Sequence, residues 1–269
     1  MLLFCFLAVG MLTYSCQKES LDRGNEIPSS VIEQLTAMGF NPEGIERTED
    51  GYLIERDIVI TQDFLDHAGH EQRVPGAEQY STNNLVSTSG NRVITIYAPG
   101  GRRGYSAGML AGLDLAIARY NSENLEISFQ RVNSSNGADI TMTRLSKRDE
   151  RRGVLGSAGF PTSSGDPYGN IKMSGILESS YGLSTAGIAT IIGHEMGHCI
   201  GFRHTDYFDR SISCGGATSN EGSAGIGANL IPGTPAGASL SDQSWMLSCT
   251  DGSDRPFNND DQTALNYLY

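Results

Sequence analysis

Basic residues are scarce in this chain, and no long apolar span offsets that scarcity. The one pronounced apolar run, Leu2 to Thr13, has 12 residues, too few to cross a bilayer as a helix. Lys and Arg number 19 against 31 Asp and Glu, a net charge of −12 over 269 residues. This excludes a nucleic-acid binder, which needs a basic stripe. The 33 glycines carry no collagen period, so they read as loops and tight turns, and the chain contains no internal repeat. Hydrophobic residues at 38% and charged residues at 19% allow a packed core and exclude wholesale disorder.

The deficit of positive charge is uneven. Residues 16–90 hold 5 Lys and Arg against 14 Asp and Glu, whereas residues 91–269 hold 14 against 17. The two stretches are therefore different kinds of segment. The Leu2–Thr13 run reads as the apolar part of an export signal, residues 1–15. Cys16, followed by Gln17-Lys18-Glu19, resembles the acylated cysteine of bacterial lipoproteins. No Lys or Arg precedes the run, and Thr13 stands where a leucine is usual. A cleaved signal with a plain N-terminus is the alternative. Either reading makes the protein exported, as a cell-envelope lipoprotein or a secreted protein, with a lipid anchor as its only membrane attachment. In an oxidising compartment two of Cys199, Cys214 and Cys249 should pair. Cys199 falls in a predicted helix, which leaves Cys214 with Cys249. Three free thiols, or a metal role for Cys214 or Cys249, are the alternatives.

Residues 17–30 read as a tether. Val31, Ile32, Leu35 and Met38 share a helical face. Tyr52–Ile54 and Ile58–Ile60 read as strands around a charged turn, and the uncharged stretch 81–90 reads as a linker. The division expected is thus a signal at 1–15, an N-terminal region at 16–90 and a main domain at 91–269. In the latter, Val93–Tyr97, 125–132, 139–145 and Asn170–Met173 read as strands. A helix starts near Ser106, with Leu110, Leu113, Ile117 and Tyr120 on one face. The charge run Lys147–Arg152 reads as a solvated loop. Ser184 can cap a second long helix. After Phe202 the chain is rich in Gly, Ser and Asn until a final helical stretch from Asp260.

That second helix carries the chemistry. In His194-Glu195-Met196-Gly197-His198-Cys199-Ile200-Gly201-Phe202-Arg203-His204, positions i and i+4 lie one above the other. His194 and His198 therefore aim two imidazoles at one point, which suits Zn²⁺. Glu195, offset by one residue, does not ligate; it can reach a metal-bound water as general base. Gly201 can take the left-handed conformation that ends the helix, and His204 returns as third ligand. Three protein ligands leave an open position, the catalytic rather than the structural arrangement.

This extended motif resembles that of the metzincin zinc peptidases. Met246 in Ser244-Trp245-Met246 resembles their Met-turn. Leu155-Gly156-Ser157-Ala158-Gly159 resembles the edge strand that binds substrate by β-augmentation. The chain is most similar to the dual-action HEIGH metallopeptidases, a bacterial metzincin family. The similarity runs through His194 to Asp206, with Met196 in place of the family's Ile, and through Gly227–Pro235, Ala116–Asn121, Phe129–Val132 and Tyr52–Ile58. It implies an α+β catalytic domain with a twisted mixed sheet, two long helices and an irregular C-terminal subdomain, preceded by a small prosegment-like region. It also implies one catalytic Zn²⁺, a polypeptide substrate, and a role for Asp206 in orienting a ligand. No Tyr follows Met246 where astacins place one. No cysteine lies in 17–90, which excludes a cysteine switch. A carboxylate of the acidic segment can block zinc instead, and Asp57 is the candidate.

The expected function is a monomeric zinc endopeptidase hydrolysing extracytoplasmic proteins through water activated by Glu195. The alternative is an exported zinc-site module that binds protein or glycan and cleaves only itself. His67 and His70 read as an exposed loop. The run Asp251, Asp254, Asn258, Asn259, Asp260 and Asp261 offers oxygen ligands for Ca²⁺, but more simply makes turns and caps the last helix.

Overall fold

Alternation along two short strands sets the N-terminal packing. In the computed structural model, strand β2 (Tyr52–Ile54) sends Leu53 to one side and Tyr52 and Ile54 to the other. Strand β3 (Ile58–Ile60) repeats this, with Val59 opposed to Ile58 and Ile60, the period of two expected of a pleated strand. Leu53 and Val59 join the main core. The other four build a small second core with Val31 and Leu35 of helix α1 (Ser29–Ala37), Phe64 and Leu65 of helix α2 (Gln62–His67), and Phe160. The structure describes residues 26–269 apart from 39, 68–78, 103, 222–226 and 236. The export signal, Cys16 and His70 lie outside the described residues.

The N-terminal strands, with β1 (Glu46–Arg47), extend the main sheet. That sheet contains β5 (Arg92–Tyr97), β6 (Ile127–Val132), β7 (Ile140–Arg144), β8 (Gly156–Gly159) and β9 (Asn170–Met173). A two-residue strand β4 (Tyr80–Ser81) lies apart from it. The order across the eight strands is β1-β2-β3-β8-β9-β7-β5-β6. Pairs β5–β6, β5–β7, β7–β9 and β3–β8 are parallel; β1–β2, β2–β3 and β8–β9 are antiparallel. The sheet is mixed and the fold is α+β, as expected.

Two long helices pack on the sheet. Helix α3 (Ala107–Ser122) is capped by Ser106, whose hydroxyl accepts from the Met109 amide at 3.1 Å, and it buries Met109, Leu113, Ile117 and Tyr120. Helix α5 (Thr185–Cys199) is capped by Ser184 on the Gly187 amide and is buried almost throughout. Between them in sequence, Lys147–Arg151 forms helix α4 rather than the loop expected from its charges. Ser146 caps it, and buried Glu150 accepts from Arg144 at 2.8 Å and from the Gly175 amide at 2.7 Å. Those partners turn an apparently solvated charge run into an anchored turn.

The stretch 81–90 is likewise not a linker. β4 pairs with β10 (Asn229–Leu230), the Thr82 amide donates to the Gly201 carbonyl at 2.8 Å, and the Val86 amide donates to the Tyr269 hydroxyl at 3.1 Å. Gln79 is fully buried against Ser244 and Asp261. Residues 79–90 therefore pack with the chain beyond 91 rather than standing free of it. Beyond Gly201 the chain is irregular. It holds only helix α6 (Ser211–Cys214), β10, a 3₁₀ turn at Leu240–Asp242 and helix α7 (Asn259–Leu268) among the described residues. Cys214 and Cys249 are joined, with their Cα atoms 5.1 Å apart, and Cys199 is a buried free thiol. No helix among the described residues is long and apolar enough to cross a membrane.

Candidate metal centre

The last turn of α5 and the chain that follows it bring three imidazoles together. Gly201 has φ +105°, and a side chain there would meet the Asn84 carbonyl. Glycine therefore permits both the turn and the close passage of residues 82–85. His204 then comes back beneath the helix, with its Nε2 3.2 Å from Nε2 of both His194 and His198. All three histidines are buried. Each has its Nδ1 engaged: His194 with the Trp245 carbonyl at 2.9 Å, His198 with the Phe202 carbonyl at 2.8 Å, and His204 with Glu221 at 2.6 Å. An Nδ1–H donated to oxygen leaves Nε2 as a lone pair. With all three rings neutral, three lone pairs face one another, an arrangement relieved by a bound cation or by a proton on one ring.

The surrounding carboxylates fit that cation. Glu195 is buried with its Oε2 lacking a partner, and so are Asp57 Oδ1 and Glu55 Oε1. Three buried carboxyl oxygens without partners beside a histidine triad are costly, and a bound cation would offset that cost. Burial raises the Glu195 carboxyl well above the ordinary value, and Asp57 adds to this. Burial lowers His194 to about 4 and His198 further, favouring the neutral imidazoles that a metal requires. At His204 the opposing pull of burial is outweighed by Glu221 and Asp57, which hold it up at about 10. Among the described residues two groups could hold a metal: the three histidines, and Glu55 with His204 and Glu221.

Met246 is fully buried, and a Cβ on Gly197 of α5 would come within 2.6 Å of its sulfur. Its carbonyl accepts from the Thr205 amide at 2.8 Å, next to His204. Trp245 lies at the base, its indole donating to Gly193 O and Tyr120 Oη, each at 3.1 Å. Asp206 has no hydrogen bond to a histidine among the described residues. It accepts from the Ser213 hydroxyl at 2.6 Å and the Ser248 hydroxyl at 2.7 Å. It thus ties together the two segments that the Cys214–Cys249 disulfide also joins.

The residue that holds His204 is Glu221, which sequence reasoning missed. Its oxygens accept from His204, from Arg210 at 2.9 Å, from Ser248 at 3.2 Å and from Arg203 at 3.5 Å. His204 and the two arginines hold its carboxyl well below the usual range against the pull of burial. One signal was present: Glu221 is the only charged residue between Arg210 and Asp242.

Gly156 of β8 lies directly on Glu195; a Cβ there would come within 2.3 Å of Glu195 Oε1. Leu155 precedes the strand and Gly156 to Gly159 form it. β8 is not an edge in the full chain, however. β3 pairs with it in parallel, Ile58 opposite Ala158 and Val59 opposite Gly159. The turn before β3 passes through Glu55 (φ 55°) and Arg56 (φ 80°), left-handed conformations that side chains rarely adopt. It delivers Asp57 Oδ2 to 3.3 Å from His204 Nε2. His204 and Arg210 hold the Asp57 carboxyl low despite burial. A cleft of about 800 Å³ lies between residues 41–57 on one side and His194, Glu195 and Arg210 on the other.

Three of the four aspartates considered for Ca²⁺ have other partners. Asp251 accepts from Ser253 and Arg255, Asp254 from Arg119, and Asp261 forms a reciprocal cap with Asn258 on α7. The side-chain position of His67 is outside what the structure describes.

Three buried imidazoles, each fixed through Nδ1, beside a buried glutamate, make the centre of a metal-dependent hydrolase. Residues 52–269 match the model of the dual-action HEIGH metallo-peptidases, and the chain belongs to that family. No curated protein matches the chain. Among solved structures, the crystal structure of myroilysin is 14% identical with a TM-score of 0.38, covering 77% of this chain and 92% of that one. A second structure of myroilysin is 15% identical with a TM-score of 0.38, covering 67% and 95%. Family membership and the histidine triad support a zinc-dependent peptidase acting on polypeptides.

Proposed function

We propose that this chain is an exported zinc endopeptidase of metzincin type, with residues 26–67 acting as a cover that keeps the full-length protein latent. The observation that carries the reading is the triad His194, His198 and His204 with Glu195 beside it, one oxygen lacking a partner, directly under β8. Zinc, when bound, supplies a Lewis acid and makes water nucleophilic near neutral pH. His194, His198 and His204 hold it through Nε2. Glu195 takes the proton of the attacking water and returns it to the leaving amine. Burial favours the neutral acid at Glu195, so the base form depends on the nearby positive charge and on the absence of Asp57. β8 receives the substrate as an added strand once β3 has left it.

Latency has two supports. β3 occupies the hydrogen-bonding edge of β8, and the Asp57 carboxylate lies 3.3 Å from His204 Nε2, a nitrogen that would hold the metal. Export by the 1–15 signal, anchoring through Cys16, the monomeric state and extracytoplasmic substrates complete the proposal. The test compares zinc-loaded full-length wild type with Asp57→Ala on an unfolded, fluorescently labelled protein. Cleavage by the variant well above wild type is expected. Equal and undetectable rates, with zinc bound in both, would remove the peptidase reading.

A further inference from the structure

The two walls of the cleft carry opposite charge. Among the charged residues lining it, the N-terminal wall brings Glu43, Glu46, Glu55 and Asp57 against one cation, Arg56. The wall opposite brings Arg152, Arg210 and Arg255 against one carboxylate, Glu195. The charges meet across the gap. Arg152, just ahead of β8, pairs with Glu46, and Arg210, beyond the third histidine, pairs with Glu55 at 3.4 Å. Arg255 is held within its own wall by Asp251 at 3.3 Å and the Cys249 carbonyl at 3.0 Å.

From this we infer that the vacated cleft selects acidic polypeptides, with Arg210 and Arg152 as its specificity-determining residues. The inference rests on the peptidase reading and on residues 26–67 leaving the cleft. A segment that fills a binding cleft displays the chemistry the cleft accepts, and here that chemistry is carboxylate. Leaving removes four acids and one base from the cleft, so the lining that remains carries three guanidiniums against the one carboxyl of Glu195. The Glu55 contact also shows room for improvement. Only one of its oxygens reaches Arg210, and the other is buried without a partner. Its approach is fixed by a turn through two left-handed side-chain residues. A substrate carboxylate free of that turn can meet the guanidinium through both oxygens, the stronger arrangement. Arg210 is held in place for this by Glu221 at 2.9 Å. Arg152 is half exposed and lies at the β8 end of the cleft, so the two guanidiniums can read separate side chains of one extended peptide.

Binding is measured on zinc-loaded full-length chain carrying Glu55→Ala, Asp57→Ala and Glu195→Ala, so that no cleavage intervenes. The probes are a labelled alternating alanine–glutamate peptide and its alanine–glutamine counterpart, followed by fluorescence anisotropy. About tenfold tighter binding of the glutamate peptide is expected. Arg210→Gln should remove most of that preference and Arg152→Gln part of it. Arg210→Lys should restore part of the preference, which a merely structural role would not do. With Glu195 present, the same arginine changes should act on KM for acidic peptides more than on kcat. Equal binding of the two peptides, or binding of neither, overturns the inference. Catalytic failure of the Glu195-containing chain alongside a retained glutamate preference would count against the peptidase reading and still support this one.

Discussion

Removing the Glu221 side chain should weaken zinc binding and the fold together. The carboxylate accepts the Nδ1 proton of His204 at 2.6 Å and meets Arg210 at 2.9 Å, and neither Glu221 nor Arg203 is exposed. In Glu221→Ala, His204 loses the partner that sets its ring and tautomer. Losing such a support typically costs 10–100-fold in metal affinity, so a zinc dissociation constant weaker by about that factor is expected. The two guanidiniums also lose their shared counter-charge. Breaking a buried pair costs about 3–5 kcal/mol. With a urea slope of about 2–3 kcal/mol/M, the unfolding midpoint of metal-free protein should fall by roughly 1–2.5 M. Glu221→Gln keeps an acceptor for His204 and should lie between. Zinc affinity is read by competition with a chromogenic chelator, and stability by urea titration followed through Trp245, the one tryptophan. A Glu221→Ala dissociation constant within twofold of wild type would refute the argument that this residue orients His204.

Other substitutions separate the remaining parts of the account. Leu35→Ala, at a fully buried site in the small N-terminal core, should cost about 2–5 kcal/mol locally. It should raise the basal cleavage rate of the full chain; a rate equal to wild type would mean that this core does not hold the cover in place. Cys214→Ser opens a loop spanning 35 residues and should destabilise the chain by about 4 kcal/mol on the entropic estimate, checked by urea titration. Tyr120→Phe removes the hydroxyl that donates to Gly193 O at 2.8 Å. It should cost about 1–2 kcal/mol while leaving zinc affinity unchanged, because the indole of Trp245 still donates to the same carbonyl.

The parts of the fold legible in the sequence are those fixed by short-range rules. Ser106 and Ser184 mark helix starts through their caps, and the i, i+4 spacing of His194 and His198 fixes two imidazoles on one face whatever surrounds them. Gly201 and His204 follow from the need to end a helix and return. What was not legible depends on contacts distant in sequence. The stretch 81–90 has linker composition, but its amides find carbonyls and a hydroxyl at Gly201 and Tyr269. Lys147–Arg151 has loop composition, yet Arg144 and the Gly175 amide satisfy Glu150. The place of Asp206 in the motif points to a role in orienting a ligand. The donors that reach Asp206 are the hydroxyls and amides of Ser213 and Ser248, while Glu221, 17 residues beyond His204, arrives from an otherwise uncharged stretch. Asp57 was selectable because a cysteine was lacking in the acidic segment. Its distance from His204, and the parallel pairing of β3 on β8, required the fold.

The central claim is that Glu195, beside metal held by the three histidines, makes this chain a peptidase. The most direct measurement takes full-length Asp57→Ala, with and without Glu195→Ala, and follows both bound zinc and hydrolysis of an unfolded protein. The account predicts about one zinc per chain in both proteins, with cleavage only where Glu195 is retained. Zinc-dependent cleavage persisting at the same rate without Glu195 would contradict it.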